Sequence, residues 1–195
     1  MSDWRNLERL GPYSFTCGYC GRAVSSREGY YTADGYNEYM GLPAVFVCPG
    51  CNRPSYFEAG QFSSQTPAPM LGNPVSSLPV NVASIYEEAR GSTKLQANTG
   101  AVLLCRKLLM HIAVERGGPA GQSFLQYVEY LADNGYVPPN GRLWVDHIRQ
   151  KGNEANHEIV LMSRDDALDL LTFIEMLLKF IYEFPARITP SPPQP

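Results

Sequence analysis

The spacing of apolar positions changes character near residue 80 of this 195-residue chain. Before that point apolar residues come in short pieces, and AVFVC at 44–48 is the plainest of them, a β-branched and aromatic run of strand length. From about Asn81 onward the period turns helical. Ala101, Leu104, Cys105, Leu108 and Ile112 recur at three and four residues. That spacing predicts one buried stripe on a helix, with Arg106 and Lys107 beside it. Gly117-Gly118-Pro119 breaks the pattern. A second helix is predicted over 121–134, with Phe124, Val128 and Leu131 inward and Asn134-Gly135 as its end. A third begins near Arg142, after Pro138-Pro139. The last carries the fullest set of signals: Ser163 as a cap with Asp166 three residues on, then Leu168, Leu171, Ile174, Leu178 and Ile181, with Pro185 as the stop. A shorter helix over 81–90 precedes them all.

These elements predict an α+β chain. A small β module occupies 1–60 and an antiparallel helical bundle occupies 81–187. Between them, 61–80 is rich in proline and serine and has no charge, which reads as a linker or an extended strap rather than a helix or a sheet. Residues 188–195 read as a disordered tail. There is no internal repeat.

Composition narrows the function classes. Net charge is −3 and evenly spread: −1 over residues 1–60, zero over 61–100 and −2 over 101–195. A general coat for DNA or RNA would carry a basic field, so any phosphate-binding patch here has to be local. No apolar run has the ~18 residues of a membrane span, and the first twenty residues lack the pattern of a signal peptide. A cytoplasmic protein is expected, with no membrane partner and no small-molecule cofactor evident. In that reducing compartment paired cysteines favour metal over disulfides.

Cys17-Gly-Tyr-Cys20 and Cys48-Pro-Gly-Cys51 form two Cys-x-x-Cys pairs with 27 residues between them. Each pair can fold as a tight knuckle with both sulfurs toward one ion, and two knuckles supply the four tetrahedral ligands that Zn2+ prefers. Small residues after the first cysteine suit such a turn, and Gly18, Gly21, Pro49 and Gly50 comply. The long gap leaves room for a hairpin in REGYYTADGYNEYMG. The expected module is zinc-ribbon-like. A four-cysteine site has no open position for water, so the expected zinc is structural, one ion per chain, and supplies much of the folding free energy of a module this small. Cys105 lies on an apolar helix face and reads as an inert core thiol.

Seven of the twelve tyrosines (13, 19, 30, 31, 36, 39 and 56) fall in the cysteine module. They are either a stacking surface for bases or a partner, or packing material for a core-poor sheet, and the scarcity of interleaved basic residues favours packing. In the helical half the polar run is IRQKGNEANH, 148–157. Arg149, Asn153 and His157 stand four residues apart and share one face of a continuous helix. Gly152 interrupts that helix at about 1 kcal/mol relative to Ala, or admits another backbone closely.

VASIYEEAR (82–90), AVLLCRKLL (101–109), IRQKGNEANH and SRDDALDLLTFIEMLLKFIYEFP (163–185), taken with the cysteines, make the chain resemble the domain of unknown function 4145 family over most of 13–187. That family is a bacterial and phage helical domain often preceded by a zinc ribbon, and it is similar to the HEPN superfamily of dimerising helical bundles. The resemblance implies a HEPN-like bundle and a homodimer, with the C-terminal helix and the positions near Tyr127 and Tyr130 as candidate interfaces. HEPN ribonucleases carry an arginine, a polar residue, three others and a histidine. The resemblance maps Asn153 and His157 onto that motif, with Gly152 at the arginine position and Arg149 three residues early. Three readings of the trio stay open: a buried structural network, a ligand- or RNA-binding site, and a metal-independent ribonuclease with His157 as general acid or base. The expected function is a zinc-binding adaptor or binding module with a protein or RNA partner, in a phage-defence or counter-defence context.

Overall fold

The computed structural model describes residues 4–32, 43–58, 61–138, 141, 143–148 and 161–188. They divide into two compact units: one runs through Met70 and takes in Lys94–Gln96, and the other comprises Leu71–Thr93 and the chain from Ala97 onward. The chain is α+β, as its periodicity predicts.

The first unit is an antiparallel sheet of five strands in chain order: β1 (Glu8–Thr16), β2 (Ala23–Tyr31), β3 (Ala44–Val47), β4 (Pro54–Glu58) and β5 (Gln61–Thr66). Side chains alternate faces along a strand, and β4 shows the result: Ser55 and Phe57 are buried while Tyr56 is exposed. One face collects a small core of Leu10, Phe15, Ala44, Phe46 and Phe57, joined by Cys17 and Cys48. Phe57 meets Tyr13 and Phe15 edge to face, with ring centroids 4.9 Å and 5.2 Å apart, and Tyr13 stacks on Phe46 at 5.1 Å, both favoured geometries. β2 and β3 pair antiparallel through Gly29↔Phe46, Tyr30↔Val45 and Tyr31↔Ala44; the expected hairpin within 27–41 lies, from 33 onward, outside the described residues. The tyrosines divide: Tyr13 packs in this core and Tyr30 donates to the Arg5 carbonyl, while Tyr19, Tyr31 and Tyr56 are exposed. Tyr36 and Tyr39 lie outside the described residues.

The second unit is helical: α1 (Val80–Thr93), α2 (Asn98–Glu115), α3 (Phe124–Asp133), a helical stretch at 143–148, and α4 (Arg164–Leu178). α4 runs on through a π-helical turn, Lys179–Glu183, into α5 (Phe184–Ile188). The expected tail from 189 onward lies outside the described residues. α3 and α4 both start on reciprocal capping boxes, Ser123 with Gln126 and Ser163 with Asp166. The apolar faces of the helices close over one large core that includes Tyr86, Leu108, Leu109, Ile112, Leu131, Phe173 and Ile174.

Several expectations are corrected. Residues 61–66 are not linker but the edge strand β5, paired through Tyr56↔Thr66 and Phe57↔Gln65; a polar composition suits a strand at the edge of a sheet. Residues 71–78 run as an extended strap, one of the two forms expected of this stretch, and the strap is bonded to the helices. Arg90 donates to the Leu71 and Gly72 carbonyls, Tyr86 donates to the Asn73 carbonyl, and Glu175 accepts from the Asn73 backbone and side chain. Glu183 accepts from Ser76 N–H at 2.9 Å. In place of a partner strand, side chains of α1, α4 and the π turn satisfy the backbone of this strap. Pro185 does not stop the last helix. A proline ring clashes with the carbonyl four residues back in an α-helix, and the π turn just before it, where Phe184 N–H reaches the Lys179 carbonyl, re-spaces those carbonyls. Leu168 is exposed, with Leu170 and Leu177 buried in the core instead. Arg106 is not beside the stripe but inside it, its guanidinium carbon 4.4 Å from the Phe124 ring centroid. Tyr127 is buried and Tyr130 half-buried, with its hydroxyl on the Arg116 carbonyl, so neither offers an exposed apolar surface.

Candidate metal centre

The four expected cysteines stand at one end of the sheet, where β1 turns into β2 and β3 turns into β4. Each turn is built the same way. In the first, Cys17 N–H donates to the Arg22 carbonyl at 2.9 Å and Gly21 N–H donates to the Cys17 carbonyl at 2.9 Å. In the second, Cys48 N–H donates to the Arg53 carbonyl at 2.9 Å and Asn52 N–H donates to the Cys48 carbonyl at 2.8 Å. Gly21 and Asn52 both adopt positive φ, 69° and 57°, which glycine takes freely and asparagine tolerates better than most residues. Gly18 is fixed by a different constraint: a Cβ there would stand 2.2 Å from the Pro67 carbonyl oxygen. That stretch is held by Gln65, whose Nε2 donates to the Thr16 and Pro67 carbonyls.

The first cysteine of each pair is fully buried and the second half-buried. Their sulfurs lie within 4.8 Å of one another, with Cys17···Cys51 at 3.7 Å and Cys20···Cys48 at 3.8 Å. These separations are far too long for an S–S bond of about 2.05 Å, and all the cysteines are free thiols. They fit a metal instead. A regular tetrahedron of sulfurs about 2.3 Å from a central ion has edges of about 3.8 Å. The four cysteines can therefore hold one metal ion.

Ionisation is uneven before any metal arrives. The Arg22 backbone N–H beside the Cys20 sulfur lowers that thiol to about 7. Burial raises Cys17, against the pull of the Cys20 and Tyr19 N–H groups. Burial also pushes Cys51 up to about 12, although the Arg53 N–H works the other way. Four adjacent thiolates repel one another, so a bound cation is what deprotonates the full set. The centre is two knuckles that each aim backbone N–H groups at sulfur, the arrangement expected of ligands that carry negative charge.

Arg149, Gly152, Asn153 and His157 lie outside the described residues. Of the remaining histidines, His147 pairs with Asp169 at 2.8 Å and His111 stands 3.8 Å from Glu115. Cys105 is buried, and burial pushes its thiol up to about 12, as an inert core thiol requires. Sequence reasoning missed the length of the repeat. The two knuckles share Cys-x-x-Cys, then a residue at positive φ, then arginine, so the full signal is Cys-x-x-Cys-[Gly/Asn]-Arg rather than Cys-x-x-Cys alone. It also missed Gln65, Glu175 and Glu183, whose roles come from distant backbone partners.

Fold and site together define an α+β protein with a four-cysteine candidate metal centre on a small antiparallel sheet and a separate helical unit. The model of the family described as Domain of unknown function (DUF4145) matches residues 87–190, more than half of the chain, and the chain belongs to that family. The match covers most of the helical unit and leaves the cysteine pairs outside it. Neither the curated proteins nor the solved structures gave a match. No helix among the described residues is long and apolar enough to cross a membrane.

Proposed function

We propose that this chain is a zinc-stabilised binding or adaptor protein, in which one Zn2+ per chain is structural and the helical unit carries the recognition surface. The observation that carries the metal assignment is the donor set: four sulfurs and no other ligand type, at separations of 3.7 and 3.8 Å across the centre. Thiolate-only tetrahedra suit Zn2+. Once bound, such an ion supplies folding free energy, and with four protein ligands it keeps no position for water or substrate. A redox pair is less suited to the geometry, because these two close contacts run between the knuckles and not within either. Elemental analysis of freshly purified, reduced protein should find one zinc per chain, and Cys48→Ser should lose it. Protein that carries no zinc and binds none on titration would end this reading.

For the helical unit we propose a homodimer in the cytoplasm. Leu168, Thr172, Met176, Phe180, Phe184 and Ile188 recur at every fourth residue along α4, the π turn and α5. Phe180 and Ile188 are 49% and 83% exposed, and contiguous exposed apolar side chains mark interaction sites. The stripe is also self-complementary. Placed antiparallel on a second copy about Met176, it sets Leu168 against Phe184, and acidic Asp165 in the first turn of α4 against Arg187 in α5. Light scattering at tens of micromolar should give twice the monomer mass, and Phe180→Asp should halve it. The partner of that dimer is a protein or an RNA, in a phage-defence or counter-defence setting. An RNA-cleavage assay on the purified protein beside His157→Ala is expected to show no cleavage; cleavage lost in the variant would favour a HEPN-type ribonuclease built on Arg149, Asn153 and His157.

A further inference from the structure

The two knuckles are related by more than their backbone. The arginine that closes each turn lays its side chain across the other one. Arg22, from the first knuckle, passes over Gly50 in the second: a Cβ built on Gly50 would meet Arg22 Cδ at 3.4 Å, Arg22 Nη1 at 3.5 Å and Cys48 Sγ at 3.6 Å. Those distances put the Arg22 guanidinium within ~7 Å of the Cys48 sulfur, close enough for unit charges to interact through a partly exposed site. Arg53, from the second knuckle, lies over the ring of Tyr19 in the first, with its guanidinium carbon 5.1 Å from the centroid. Gly50 and Tyr19 occupy the same place in their knuckles, the residue just before the second cysteine. The exchange is reciprocal.

Among the described residues no carboxylate pairs with Arg22 or Arg53. The described acids of the sheet stand at the other ends of the strands: Glu8 opens β1, Glu28 faces Arg9 across the β1–β2 pair, and Glu58 closes β4. A divalent ion held by four thiolates carries a formal charge of about −2, and two guanidiniums balance it.

We infer that Arg22 and Arg53 are the counter-charges of the metal centre, each reaching from its own knuckle across the opposite one, so that the loaded centre is close to neutral and both turns must be closed for either arginine to be in place. This rests on the zinc reading above and assigns it two positioning residues that touch no metal. It also gives a physical reason for the six-residue repeat. The backbone N–H of each arginine serves the sulfur of its own knuckle, and its side chain serves the other knuckle.

The test is a competition titration of Zn2+ against a chromogenic chelator, run first on the parent chain. Failure of the parent to bind zinc would remove the zinc reading itself and is read before any variant. With a zinc-binding parent, Arg22→Ala and Arg53→Ala should each weaken zinc by about tenfold, in the range that outer-shell partners of metal ligands usually show. Arg22→Lys should recover most of the loss and Arg27→Ala, on β2 away from the knuckles, should show none. Because the effect is between charges near solvent, the gap between parent and alanine variants should narrow as salt is raised from about 0.05 to about 0.5 M; a packing role would leave it unchanged. The sulfur-to-metal charge-transfer band of Co2+-loaded protein should shift in the single variants, which needs no unfolding measurement and covers a double variant that does not fold. Parent affinity and an unshifted Co2+ spectrum in both single alanine variants would overturn the proposal.

Discussion

The two units of this chain hold themselves together by different means. Among the described residues, eleven of the twelve largest fully buried side chains belong to the helical unit and one, Phe57, to the sheet. The helical unit has enough apolar surface to fold on its own account, at roughly 1.5–3 kcal/mol per large buried side chain. The sheet has a handful of aromatic rings on one face and two cysteines as part of its core. A core that size rarely suffices without a staple. In the helical unit polar groups trim and position what the core has already fixed. In the sheet, on the zinc reading proposed above, a metal held by four sulfur atoms at one end supplies what the small core lacks.

The sharpest way to break that contrast is to take the metal away. Chelation, or Cys48→Ser, removes an interaction worth on the order of 10–16 kcal/mol in small structural zinc sites. The sheet should then become protease-sensitive and lose its tyrosine near-UV signal while the helical far-UV signal persists. Loss of both signals together would show that the units do not stand apart. Acid should do the same as chelation, because protons and metal compete for the same sulfurs.

A cavity in the helical core is the converse experiment. Leu109→Ala or Ile174→Ala, both at fully buried positions, should cost about 2–5 kcal/mol. Calorimetry should show a lower helical melting temperature with zinc content unchanged. A smaller effect belongs to the strap. Glu175→Gln leaves Lys179 without its carboxylate and weakens the hydrogen bonds donated by Asn73, at about 1–3 kcal/mol, and should expose residues 71–78 to protease first. The same contacts make the strap sensitive to pH. Burial alone would raise Glu175, but Lys179 and Asn73 outweigh it and hold the carboxyl below its ordinary value. Ser76 N–H, with help from Arg187, lowers Glu183 as well. A carboxyl that titrates lower in the folded chain stabilises it above the ordinary carboxylate range and ceases to as pH falls through the lowered value. Strap protection in hydrogen exchange should therefore be intact at neutral pH and fade on acidification below about pH 4. The least effect is expected of Ser163→Ala, about 1 kcal/mol from one lost cap.

What could be read in the sequence follows from how local each interaction is. The capping box at Ser163, the inward faces of α2 and α3, and the pairing of Cys17, Cys20, Cys48 and Cys51 all depend on residues a few positions apart or on a spacing with few other uses. β5 was not legible, because Gln61–Thr66 has the composition of a linker and becomes a strand only through its pairing with β4. The burial of Arg106 was not legible either, since a helix surface and a helix core look alike until the neighbouring Phe124 arrives. Leu168 shows the opposite error. Its spacing places it on the buried face, yet the core closes over Ala167, Leu170 and Leu171 and leaves it outside.

The π-helical turn at Lys179–Glu183 has a consequence for how this helix can vary. Glu175 and Glu183 are eight positions apart, which in an unbroken α-helix would turn them about 80° away from each other around the axis. The wide turn takes up one residue more than an α-helical turn does, so the two carboxylates come back to within about 20° of the same direction. That shared direction is what lets one helix grip Asn73 and Ser76 in the same strap. The turn acts as a phase corrector for the one extra residue it accommodates. Deleting Phe180 would leave Glu175 and Glu183 seven positions apart on a regular α-helix, still within about 20° of one direction, so the strap contacts should survive, but it would bring the Pro185 ring back against an α-helical carbonyl. Straightening the turn to α geometry without removing a residue is the change that would swing Glu183 about 80° from Glu175.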